Sequence, residues 1–73
     1  MTPTEQAAAI LAACGSRPGH PLRLAFRGII AVAIRAAVDQ VLYEQPLSIE
    51  SRNEIRAQFL AIADALENPA NDV

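Results

Sequence analysis

The stretch PLRLAFRGIIAVAIRAAVDQVLYE, residues 21–44, contains a β-branched run, Ile29, Ile30, Val32 and Ile34, that would suit a strand. Its length, its flanking alanines and the spacing of its charges argue for a helix instead. Arg23, Arg27, Arg35 and Asp39 recur four or eight residues apart, which on a helix draws one narrow polar stripe. Nearly everything between them is apolar. A helix that is apolar most of the way round must be covered from more than one side.

Outward from this segment, loops are easy to place. Ser16-Arg17-Pro18-Gly19-His20-Pro21 holds two prolines and a glycine within four residues and cannot continue a helix. Pro21 suits the first position of the following helix, with His20 or Gly19 as its cap. On the other side, Gln45-Pro46-Leu47 breaks the chain again. Ser48 can cap a third helix beginning at Ile49, with Glu50 in its positive first turn; Ser51 to Glu54 offers a second capping box three residues later. At the amino end, Thr2-Pro3-Thr4-Glu5 combines a capping Thr, a Pro in the first turn and a Glu three residues after the cap. Gly15 is a suitable stop for that helix.

These signals predict an all-α chain, a short N-terminal helix followed by an antiparallel helical hairpin, in one domain. The helices are expected over about residues 3–14, 21–44 and 49–67, with loops at 15–20 and 45–48 and a frayed tail at 68–73. Paired helices in an antiparallel hairpin should have partner numbers with a near-constant sum. Ala25 with Leu66, Ile29 with Ile62, Val32 with Phe59 and Ala36 with Ile55 all sum to 91, as do Asp39 with Arg52 and Arg27 with Asp64, while Arg23 with Glu67 sums to 90. Apolar and charged positions thus suggest one register.

Seventy-three residues bury only about 60% of the unfolded surface, so a single such core is marginal. With one cysteine, Cys14, and one histidine, His20, neither an internal disulfide nor a protein-only metal site is expected. Oligomerisation is the remaining way to enlarge the core. The hairpin seam leaves over a second stripe on the middle helix: Phe26, Ile30, Ala33, Ala37 and Val41, extended by Ile34, Val38 and Leu42. The first helix offers only Ile10 and Leu11 to cover it. A symmetric dimer, two hairpins joined through this stripe into a four-helix bundle, is the expected solution; the alternative is a three-helix monomer in which the first helix crosses the stripe.

The net charge of −2 argues against general affinity for nucleic acid or anionic membrane. All six basic residues are arginine, and they are unevenly placed: residues 1–35 carry +3 and residues 36–73 carry −5. Arg17, His20, Arg23 and Arg27 gather around the first loop and the start of the middle helix, where backbone N–H groups and the helix dipole favour an anion. This makes them candidates for holding a phosphate-bearing molecule or nucleotide. The plainer reading pairs Arg23 and Arg27 with Glu67 and Asp64 and leaves Arg17 solvated.

Leu11-Ala12-Ala13-Cys14-Gly15-Ser16 resembles the lipobox of bacterial lipoproteins, which implies lipidation at Cys14. No Lys or Arg precedes the apolar run and Glu5 stands where positive charge belongs, so a cytoplasmic location is the expectation and lipidation the minor alternative. Arg27, Arg35 and Asp39 interrupt the only stretch long enough to span a bilayer. Cys14 and His20 flank a turn, but no orienting group or oxyanion hole accompanies them, and no cofactor motif is present. The expectation is therefore a non-enzymatic interaction or regulatory protein, a homo-oligomer that binds another protein. The alternative is a small-ligand binder or sponge built on the arginine-rich start of the middle helix.

Overall fold

The structure, a computed structural model, describes residues 1–68. Three helices follow one another: α1 over Pro3–Ala13, α2 over Arg23–Glu44 and α3 over Ile49–Glu67. The expected frayed tail lies, beyond Asn68, outside the described residues. No helix among the described residues is long and apolar enough to cross a membrane.

Local chemistry sets the helix ends. Thr2 caps α1: its Oγ1 accepts the Glu5 N–H at 3.2 Å and donates to the Glu5 carboxylate at 3.1 Å. One unpaired backbone donor of the first turn is thus satisfied by the Thr2 hydroxyl, which the Glu5 carboxylate in turn orients. α1 stops in a Schellman turn, with Ser16 N–H on the Leu11 carbonyl and Gly15 N–H on the Ala12 carbonyl. That turn needs a left-handed residue, and Gly15 supplies it at φ 80°. Arg17-Pro18-Gly19-His20 then forms a β-turn closed by His20 N–H on the Arg17 carbonyl, with Pro18 fixing φ and Gly19 at φ 84°.

α2 starts two residues later than the proline signal suggested. Pro21 and Leu22 belong to a turn, in which His20 Nδ1 accepts the Leu22 N–H at 3.1 Å and the His20 carbonyl accepts the Arg23 N–H. The N-cap of α2 is Leu22 and no side chain caps the helix, so neither His20 nor Gly19 takes the capping place expected of it. At the other loop, Ser48 caps α3 by accepting the Ser51 N–H at 3.2 Å. The Ser51 alternative start is not used.

α2 and α3 pack as the hairpin and α1 lies against α3. The core is thin and rich in alanine: Ala7 and Leu11 from α1, Ala31 from α2, and Ile62, Ala63, Ala65 and Leu66 from α3, with Ile10, Phe26, Ile30 and Ile34 half-buried around it. Val38 and Leu42 continue the buried face of α2 toward the hairpin loop.

The hairpin register differs from the sequence expectation. Ile29 and Val32, which the sum of 91 places in the seam, are 65% and 63% exposed. The seam of α2 is instead Arg23, Arg27, Ala31, Val38 and Leu42. The charges shift with it: Asp39 accepts from Arg56 at 2.7 Å, Asp64 and Glu67 pair with Arg35, and Arg52 donates to the Gln45 carbonyl at 2.9 Å. The cause is at the N-terminal end of α2. The final carbonyls of α3 have no donors within their own helix, and Arg27 supplies them. Turning its guanidinium inward rotates α2 and carries Ile29 and Val32 out to the surface.

Candidate interaction surface

The four residues singled out as an anion site have two separate fates. Arg23 and Arg27 are only 7% and 4% exposed. Arg23 donates through Nη1 to the Ser16 carbonyl at 2.6 Å. Arg27 donates through Nε to the Leu66 carbonyl at 2.7 Å, and through Nη2 to the carbonyls of Ala65 and Asn68 at 2.7 and 3.0 Å. These guanidiniums point at the negative end of α3 and at the α1 exit loop. Arg17 and His20 remain exposed, with the His20 ring 5.9 Å from that of Phe26. The expected Arg23–Glu67 and Arg27–Asp64 pairs do not form, because Arg35 holds both carboxylates.

Cys14 is the C-cap of α1 and is exposed with a free thiol. Among the described residues no group of three or more His, Cys, Asp and Glu side chains could hold a metal ion.

The stripe expected to form an oligomer interface is also divided. Phe26, Ile30 and Ile34 are half-buried against the core, and Val38 is buried within the hairpin. Ala33, Ala37 and Val41 stay exposed. α1 lies against α3 and adds its two large apolar side chains to the shared core, and no α1 residue lines the far half of the stripe. There the two hairpin helices enclose an apolar groove of about 230 Å³, walled by Ile34, Ala37, Val38, Val41 and Leu42 of α2 and by Ile55 and Phe59 of α3. Its wall carries almost no polar atoms, so water inside it gains few hydrogen bonds and is readily displaced by an apolar side chain.

A second apolar surface lies on α2 and follows from the rotation described above. Leu24, Ile29 and Val32 are exposed there, Leu24 at 69%. Between them sits Gly28, in the interior of a 22-residue helix. Glycine there costs roughly 0.5–1 kcal/mol relative to alanine. Nothing among the described residues lies within 4 Å of the place its Cβ would occupy, so packing among them gives no reason for it. Leu24, Gly28 and Val32 line a shallow hollow with Arg27, Leu66 and Glu67. Sequence reasoning placed Ile29 and Val32 inside the hairpin and so missed this surface; the mid-helix glycine was the available signal.

No protein-family model, curated protein or solved structure shows significant similarity to the chain.

Proposed function

We propose that the protein is a non-enzymatic interaction protein that acts as a homo-oligomer and binds another protein through an apolar helix. The observation that supports this most directly is the groove between the far halves of α2 and α3, which α1 does not reach. Its walls are two helices and its lining is aliphatic with one aromatic, Phe59. That geometry suits the apolar stripe of an amphipathic helix, read through residues spaced three and four apart. The thin alanine-rich core points the same way, since a chain of this size gains stability by burying further surface against a second chain.

The alternative, a binder of phosphate-bearing molecules, draws less support. It requires the guanidiniums of Arg23 and Arg27, which the carbonyls of Ser16, Ala65 and Leu66 already engage.

Native mass spectrometry over a range of concentrations tests the oligomeric part, with dimers or larger assemblies of unliganded mass expected. The helix-binding part is tested with Val41→Glu, which puts a charge at the groove wall. Co-purified or added helical partner should be lost from this variant while its circular dichroism stays unchanged. Retention of the partner by Val41→Glu would refute the groove as its seat.

A further inference from the structure

The outward face of α2 carries a self-complementary pattern. Along one ridge of residues four apart stand Leu24, Gly28, Val32 and Ala36, which read large, small, large, small. Laid antiparallel against its own copy, this ridge matches Leu24 with Ala36 and Gly28 with Val32, and then the same pairs in reverse. Every layer sets a large side chain against a small one. A two-fold axis therefore relates two identical surfaces with no layer overfilled and none left void, as an isologous contact requires.

Independent features of the monomer point to the same face. Among the described residues, nothing stands where a Gly28 Cβ would be, so their packing does not account for a glycine there. Leu24 and Val32 are large, apolar and more than three-fifths exposed on either side of it. Leu24, Gly28 and Val32 also line a shallow hollow that is open enough to admit an apolar side chain from outside. Covering this ridge and the adjoining Ala25 and Ile29 on two copies would remove on the order of 1,000 Å² from water, which is where specific interfaces begin.

From this we infer that a second copy of the chain docks antiparallel on the outward face of α2, with Val32 of each copy seated in the notch at Gly28 of the other. This deepens the proposed function, on whose homo-oligomer it rests. It assigns self-association to the outward face, and leaves the α2–α3 groove for a different protein.

The experiment is sedimentation equilibrium from the micromolar to the millimolar range on wild type, Gly28→Ala, Val32→Glu and the double variant Gly28→Ala/Val32→Ala. Added at Gly28, a methyl group meets nothing among the described residues, so Gly28→Ala should melt at or above the wild-type temperature when dilute. It fills the notch, so the dimer Kd should rise on the order of tenfold. Val32→Glu should be a monomer with unchanged helicity. The double variant restores room in the layer and should associate more tightly than Gly28→Ala alone, which a merely local effect on helix stability would not produce.

A wild-type dimer that Gly28→Ala and Val32→Glu both leave intact overturns this face as the contact and leaves the homo-oligomer reading standing. A wild type that stays monomeric throughout the range overturns both.

Discussion

Arg27 closes the end of α3: its Nε lies 2.7 Å from the carbonyl oxygen of Leu66, thirty-nine residues away in the chain. The same guanidinium reaches the carbonyls of Ala65 and Asn68, so one side chain serves the last turn of a neighbouring helix. Arg27→Ala leaves buried carbonyls and a cavity beside them. It should lower the unfolding free energy by about 2–4 kcal/mol, as read by urea denaturation. Arg27→Lys keeps the charge but loses the planar fork and should recover less than half of that loss. Equal stability of the lysine variant and wild type would show that charge alone suffices.

Leu66 is fully buried where all three helices meet. Leu66→Ala should cost about 2–5 kcal/mol. In a core with few large side chains that is a considerable share of the total. The variant is expected to lose its cooperative thermal transition near ambient temperature, and a sharp melt within a few degrees of wild type would contradict the assigned core.

Ser48 accepts the Ser51 N–H and begins α3. Ser48→Ala should cost about 1 kcal/mol. The loss should be local: hydrogen exchange is expected to accelerate in the first turn of α3 and to change little at Ile62 to Leu66. Uniform acceleration along α3 would instead mean that the cap governs the whole hairpin.

Arg35 faces Glu67 and Asp64 on the surface, and its pKa is raised by hydrogen bonds to these carboxylates, Glu67 first. A raised pKa on a cation means its contribution is complete below the ordinary arginine value and is lost only as pH climbs past the higher one. Arg35 should therefore add no slope to stability between neutral and moderately alkaline pH. Salt is the informative variable, because exposed pairs are screened. The difference in melting temperature between wild type and Arg35→Ala should shrink as salt is added. A difference that persists in strong salt would show that Arg35 acts through packing of its stem.

Cys14 stands exposed at the C-cap of α1. Its thiol should react with a chromogenic disulfide reagent in the native protein at the rate seen under denaturing conditions, and the product should keep its helicity. Protection of the thiol at high protein concentration alone would place Cys14 in a contact between chains.

The ends of α1 and the start of α3 were legible in the sequence because caps are local: Thr2 with Glu5, Gly15 after Cys14, and Ser48 before Ile49 each act within a few residues, whereas the start of α2, which no side chain caps, was placed two residues early. The three-helix order and the α2–α3 hairpin follow from them. The register was not legible. The sum rule treated Arg23 and Arg27 as surface charges seeking carboxylates, whereas their partners include main-chain carbonyls at the end of α3 and in the loop after α1. Backbone acceptors have no signature in side-chain spacing. The same blindness concealed the outward face: once Arg27 is assumed exposed, Ile29 and Val32 must point inward. For the basic cluster, residue type identified the cations but not the direction in which α2 would turn them.

Arg23 and Arg27 stand one turn apart on α2, and between them they grip the chain leaving α1 and the chain ending α3. Three helices are thus stapled together at one end of a body 41 Å long. The far end, where α2 turns into α3, is held by the exposed contacts of Arg52 with Gln45 and of Arg56 with Asp39. The two ends of the hairpin are thus fastened differently, one by buried guanidiniums on main-chain carbonyls and the other by Val38 and Leu42 together with surface pairs. The groove lies at the second of these ends, so the helix proposed to enter it would add buried apolar contact where the chain's own polar fastenings are on the surface.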